Sequence, residues 1–310
     1  MAPSVEQSSS RGHGPLLSLI RHPETIANVA NIYQGSTDSP LSVHGSNQLR
    51  ALAKSVATSS TIAAATTTTI RKTTIAETRI KNQARSPLLV DRPPTLILTS
   101  PLGRTRALAE ALQDAQQQQG NRLVECIVRP GLAERCFGAQ EGSSTANRGR
   151  VTGFPRGKGP KESDVAWSHR VRTEAEHLKS LLATPWDEQV KEKQAQKHIV
   201  VVSHGMWINK FLRLVLPPDA QTQLPFTSNT GIFTLSCDGQ VWRLLVSNDT
   251  SHLIGLKRQR GGIGSSASDK KQRTLDTMLR PKSTSRADAQ GFEEQEQALS
   301  GLPHDDLKRA

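Results

Sequence analysis

Three short apolar runs in this chain of 310 residues each hand over at once to residues suited to phosphate chemistry. LLSLI (16–20) is followed by Arg21-His22, TLILT (95–99) by Ser100 with Arg104 one helical turn further on, and HIVVVS (198–203) by His204-Gly205. A guanidinium offers paired donors to phosphate oxygens and keeps its charge at any relevant pH, whereas an imidazole can act as nucleophile, acid or base near neutrality. Two arginines and two histidines brought to one place would make a site for a phosphate monoester. A lone His-Pro or Ser-His-Gly is ordinarily a turn or a core histidine, so the information lies in their combination and order.

These positions meet only if the apolar runs are neighbouring strands. Each run is short and nearly continuous, as buried strands are, and helical spacing separates them: HGSNQLRALAKSV (44–56), a segment from Pro101 to about Gln118, residues 162–183, and the apolar GMWINKFLRLVL (205–216). Ser100 is expected as the cap of the second helix, with Pro101 as its first residue. LVECIV (123–128) reads as a further strand, and GIFTLSC and VWRLLVS as a closing hairpin across Asp238-Gly239. Strands alternating with helices predict an α/β fold, a three-layer sandwich around a mostly parallel central sheet, with ligands beyond the carboxyl ends of the strands. Cys237 and Arg243 mimic a Cys-x5-Arg thiolate loop, yet the interval DGQVW reads as turn and strand rather than an amide-rich cradle.

Composition divides the chain. Only 35% of residues are hydrophobic and 4% aromatic, and the formal charge is +12, so part of the chain is expected never to pack. Residues 1–14 read as a disordered lead-in, 15–256 as the folded domain, and 257–310 as a basic, disordered tail. Within the domain, residues 57–94 read as an insertion; its run 57–85 is dominated by Thr, Ala and Ser, although β-branched content leaves an edge hairpin open. No stretch approaches a membrane span, the start lacks a secretory apolar region, and three scattered cysteines make neither a disulfide framework nor a zinc site. An intracellular, reducing location is expected, in nucleus, cytoplasm or both.

The blocks Arg21-His22-Pro23-Glu24-Thr25 with Asn28, Gln34-Gly35-Ser36-Thr37-Asp38-Ser39-Pro40-Leu41 with Gly45 and Gln48, Ser100-Pro101-Leu102-Gly103-Arg104, Leu132-Ala133-Glu134-Arg135-Cys136-Phe137-Gly138 with Glu141-Gly142, and Val202-Ser203-His204-Gly205 resemble, in order, the histidine phosphatase superfamily of phosphoglycerate mutase-like proteins. The resemblance implies that His22 is the nucleophile and forms a phosphohistidine. It implies that Arg21, Arg104, His204 and Asn28 surround the transferring group, with Gln34, Gly35 and Gly205 beside it, and that Glu134 protonates the leaving alcohol and then activates water. With positive charge supplied by the protein, it implies no metal and no cofactor. Pro23 stands where the family usually has Gly, which removes one N–H and predicts weakened phosphate binding. Thr105, Leu108 and Cys136 also depart from commoner residues.

The segment after the Glu block, GSSTANRGRVTGFPRGKGPKES, is basic and lacks the Asn-Lys-x-Glu motif that the glycolytic mutases share, whereas Lys161-Glu162-Ser163 ahead of Arg170 is similar to an element of the phosphatase branch. No Gly-x4-Gly-Lys-Ser/Thr loop signals a fused kinase. Hydrolysis of a small phosphate monoester is the expected activity, and mutase-type phosphotransfer the alternative. The tail adds a different class of reading. Residues 257–282 carry a net +6; Lys257-Arg258 and Lys270-Lys271-Gln272-Arg273 resemble a bipartite nuclear signal for an import receptor. Gln272, Leu275, Met278 and Leu279 are spaced like the peptide box that binds the replication sliding clamp, with Met-Leu replacing the usual aromatic pair. Specific nucleic-acid binding is not expected, because no aromatic residue interleaves the basic clusters.

Overall fold

The structure, a computed structural model, describes residues 14–57, 89, 92–118, 123–184, 197–238 and 241–258. The lead-in before Gly14, most of the Thr/Ala-rich insertion, Gly239 of the hairpin turn and the tail from residue 259, including the clamp box, lie outside the described residues.

Six strands, β1 (Leu16–Arg21), β2 (Leu96–Thr99), β3 (Glu125–Val128), β4 (His198–Ser203), β5 (Ile232–Cys237) and β6 (Trp242–Asp249), form one sheet in the order β3-β2-β4-β1-β5-β6. The first four are parallel; β5 runs antiparallel to β1, and β6 to β5, so the sheet is mixed. Helices α1 (Ile26–Val29), α2 (Val43–Ala57), α3 (Gly103–Gln118), α4 (Asp164–Ala183), α5 (Gly205–Val215) and α6 (Pro218–Gln221) connect them.

The two-residue period of the strands divides the core between the two sheet faces. Leu17, Leu19, Ile199 and Val201 face a cluster with α4 and α5 that holds Trp167, Trp207 and Phe211, while Ile20, Ile97, Val200 and Val202 face α2 and α3. Leu89, near the end of the predicted insertion, is buried in the second cluster, so that end of the insertion belongs to the fold. Trp207 stacks on Phe211 at 5.3 Å, and Phe211 meets Trp242 edge-on at 5.7 Å. Among the described residues no helix is long and apolar enough to cross a membrane.

Register delivers the site. Arg21 of β1 lies opposite Ser203 of β4, and Thr99 of β2 opposite Val202, so the chain leaves three adjacent strands together at His22, Ser100 and His204. The start of α3 differs from expectation: the helix begins at Gly103, not Pro101. The reason is a competing partner. The Ser100 hydroxyl lies 2.8 Å from His204 Nε2 and only 3.4 Å from the Leu102 amide. The Asp38 carboxylate accepts instead from the Gly103 and Arg104 amides, capping α3 from a distant loop.

Candidate active site

His22 follows β1 with its amide bonded to Ser203 O at 2.9 Å and its carbonyl accepting from Asn229 Nδ2 at 3.0 Å. The imidazole Nδ1 lies 2.7 Å from Pro23 O. A carbonyl only accepts, so Nδ1 carries the proton and Nε2 keeps a lone pair, the form a nucleophile needs. The residue is 3% exposed. Burial, aided by the charges of Arg104 and Arg21, holds its pKa well below the ordinary histidine value, so it is neutral at pH 7.

Three donors surround it. The loop 35–38 grips the Arg104 guanidinium: Nη1 donates to Thr37 O at 2.7 Å and to Asp38 Oδ1 at 3.1 Å, and Nη2 to Gly35 O at 2.9 Å. Arg21 Nη1 donates to Thr227 O at 2.6 Å, and its guanidinium lies against Gly205, where an added Cβ would stand 3.3 Å from Nε. The His204 ring is centred 5.2 Å from that of His22 and is fully buried. Burial and the neighbouring cations push its pKa well down too, so it holds one proton. With the Ser100 hydroxyl donating to Nε2, the His204 proton sits on Nδ1. That Nδ1, Arg21 Nε and Arg104 Nε are buried without a hydrogen-bond partner. Buried polar nitrogens are rarely left so, and three of them beside His22 could donate to an oxyanion.

Glu134 sits in the loop after β3. Its carboxylate accepts from the Arg135 amide at 2.9 Å and from the Met206 amide, in the first turn of α5, at 3.1 Å. Desolvation raises its pKa against the pull of those amides and of Arg104 and Arg21. The loop is clamped from three elements. Arg170 of α4 donates to Gly131 O, Ala133 O and Glu134 O while paired with Glu162 at 2.8–2.9 Å; Ser203 Oγ holds Leu132 O, and Trp207 Nε1 holds Gly131 O.

Asn28 and Gln34 meet at Thr25. Asn28 Oδ1 accepts from the Thr25 amide and lies 3.0 Å from its hydroxyl, closing a capping box on α1, and Gln34 Oε1 lies 3.0 Å from the same hydroxyl. Asn28 therefore has its side-chain carbonyl committed to the cap. Gly35 adopts φ +53°, a conformation that favours glycine. Cys237 ends β5, Arg243 lies in β6, and Arg243 pairs with Asp238, so this couple forms no cradle.

Sequence reasoning did not give Glu141 or Asp38 a role. Glu141 is 1% exposed and accepts from the Ser36, Thr37 and Phe137 amides, each at 2.9 Å, and from the Ser36 hydroxyl. It thereby holds the loop whose carbonyls hold Arg104. Both acids stood within the motif blocks, which was the signal available. Asn229 and Thr227, before β5, carried none.

Comparison with known proteins identifies the family and the fold. The sequence matches the model of the histidine phosphatase superfamily (branch 1) over residues 17–87 and 79–250. The chain belongs to the histidine phosphatase superfamily. A probable phosphatase of Schizosaccharomyces pombe is 29% identical over 268 residues, covering 83% of this chain and 77% of its own. In fold, the chain is similar to a phosphoglycerate mutase from Bacillus anthracis (TM-score 0.52, 16% identity, 78% of this chain and 97% of that one). It is also similar to a mycobacterial glucosyl-3-phosphoglycerate phosphatase in complex with inorganic phosphate (TM-score 0.50, 23% identity, 77% and 99%).

Proposed function

We propose that this superfamily member is a phosphatase that hydrolyses a small phosphate monoester through a phosphohistidine on His22, without a metal. The observation that carries the reading is the set of three buried, partnerless nitrogens, Arg21 Nε, Arg104 Nε and His204 Nδ1, beside a neutral imidazole whose Nδ1 proton is already engaged. His22 Nε2 attacks phosphorus and the bond to the ester oxygen breaks, its electron pair taking the proton of Glu134. The Nδ1–H to Pro23 O bond then steadies the positive phosphoimidazole. Glu134, now a carboxylate, takes a proton from water as that water attacks phosphorus, and the N–P bond breaks to release inorganic phosphate. Fixed donors that need no reorganisation stabilise the equatorial oxygens in both steps. Hydrolysis is favoured over mutase transfer because the segment after Glu141 lacks the mutase motif.

In EDTA the protein is expected to release phosphate from p-nitrophenyl phosphate, to form an acid-labile phosphoenzyme, and to lose both on His22→Ala. No wild-type turnover across a panel of phosphate esters sinks the reading. For the tail, nuclear import is proposed from sequence alone: deletion of residues 257–282 should move a fluorescently tagged protein to the cytoplasm, and an unchanged distribution refutes it. A peptide of residues 265–285 is likewise expected to bind the sliding clamp and to lose binding on Leu275→Ala; a flat titration refutes that.

A further inference from the structure

Residues 142–161 carry five cations, Arg148, Arg150, Arg156, Lys158 and Lys161, and no Asp or Glu. All five are exposed. The domain otherwise pairs many of its charges, as in Arg129–Glu174, Arg135–Asp164, Arg170–Glu162 and Arg258–Glu24, yet no ion pair within the described residues includes any of these five. A run of like charges repels itself, and a bound anion relieves that repulsion.

The segment is held in place. Gly142 N donates to Tyr33 O, Tyr33 N to Ser143 O, Thr145 N to Asn31 O, Ala139 N to Gly159 O and Glu162 N to Cys136 O, all at 2.8–3.0 Å. At its tip Ser144 N closes on Gly149 O, and Arg148 takes φ +56°, left-handed backbone that an arginine adopts at a cost.

It is also held against the site. Gly157, between Arg156 and Lys158, packs so closely on Glu141 that an added Cβ would lie 2.8 Å from Oε2, and Glu141 fixes the loop that grips Arg104. At the other end Lys161 Nζ lies 5.8 Å over the Phe137 ring, and the carbonyl of the next residue, Glu162, accepts from the Arg135 guanidinium beside Glu134.

We infer that this segment is a second anion subsite, and that the preferred substrate is a small polyphosphorylated molecule: one phosphate is cleaved at His22 while further phosphate groups lie along the five cations. The inference rests on the phosphatase reading and specifies its substrate class. A small molecule is favoured over a phosphoprotein because the reaction centre is buried, with Arg104 2% and His204 0% exposed, so the substrate must enter as a compact group.

The test compares a matched pair, glucose 1,6-bisphosphate and glucose 6-phosphate, on the full-length protein. At low salt kcat/KM is expected to favour the bisphosphate by about tenfold or more, a preference that shrinks toward unity as salt screens exposed charge. The same ratio is expected to collapse in the Arg156→Ser/Lys158→Ser/Lys161→Ser variant. Equal rates on the pair, a preference indifferent to salt, or a preference that survives in the triple variant each overturn the subsite. A stronger preference for an acidic phosphopeptide than for the bisphosphate overturns the small-molecule assignment. If no ester is turned over, calorimetry separates the failures: salt-sensitive binding of the bisphosphate that the triple variant loses upholds the subsite and rejects hydrolysis, and no binding rejects the subsite.

Discussion

At the scale of single residues the site keeps two titratable groups in opposite protonation states. His22 is neutral because burial and two guanidinium groups oppose a proton, and Glu134 is drawn toward the protonated form by desolvation. The first step of the proposed mechanism needs both conditions, so kcat/KM should hold below the ordinary histidine pKa and fall on the alkaline side as pH rises through the raised pKa of Glu134. Replacing Glu134 by Gln removes the acid. An alkyl phosphate, whose leaving alkoxide needs a proton, should then lose about 10²–10⁴-fold in rate, while phosphoenzyme formation from p-nitrophenyl phosphate should fall much less. Equal losses on the two esters would assign Glu134 a merely structural part. Pro23 sets a second test. Pro23→Gly returns a backbone N–H beside the oxyanion, and inhibition by inorganic phosphate should tighten roughly tenfold, the worth of one charge-assisted bond. The same change frees the unfolded chain and should cost about 0.4–1 kcal/mol of stability, read from urea midpoints. An unchanged inhibition constant would show that position 23 does not face the anion.

At the scale of elements, the loops of the candidate site are locked by distant carboxylates and one arginine. Arg170 of α4 binds three carbonyls of the Glu134 loop, and Glu162 holds it in place. Arg170→Met should lower turnover of alkyl phosphates more than of aryl ones, because the acid it positions matters more there. It should also cost on the order of 2 kcal/mol by stranding a half-buried carboxylate. Pairing it with Glu162→Gln should recover stability but not rate; recovery of both would mean that Arg170 acts on folding alone. These elements differ in how far the sequence discloses them. The parallel strands were legible because LLSLI, TLILT and HIVVVS are buried on both faces, and the site because three of its parts directly follow those strands. The start of α3 was not, since Ser100 serves His204 and the cap comes from Asp38, 65 residues away in sequence. Nor was the role of Glu141, whose amide partners at Ser36 and Thr37 lie more than 100 residues earlier. Such pairings are made by tertiary approach, which local propensity does not encode.

At the scale of the whole molecule, three groups of cations have different consequences. Residues 257–282 carry half of the formal +12, five cations lie along 142–161, and Arg21 and Arg104 lie beside His22. Arg258, the last described cation, is tied at 2.7 Å to Glu24, two residues after His22. The histidines limit the molecule differently. His198 spans the sheet interior: its Nδ1 donates to Arg92 O at 2.7 Å, and Ser18 Oγ donates to its Nε2 at 2.8 Å while accepting from Thr234. Both ring nitrogens are thus engaged by the neutral form, and burial lowers the pKa to about 4; His252 is likewise lowered to about 4. The unfolded chain takes up a proton at each near pH 6.5, which the folded chain refuses until about pH 4. Stability is therefore fully present above pH 6.5 and declines as pH falls toward 4, by about 3 kcal/mol for His198 alone. His22 and His204 add to the same trend, since both are neutral when folded. The acid limit of activity should then be set by unfolding and not by protonation of the nucleophile. Urea midpoints taken at pH 7.5 and 5.0 should show a clear drop that is smaller in His198→Gln, and loss of activity on acidification should track loss of the folded signal. A midpoint that holds or rises between those two pH values, or activity lost while the fold stays intact, would return the acid limb to His22 itself.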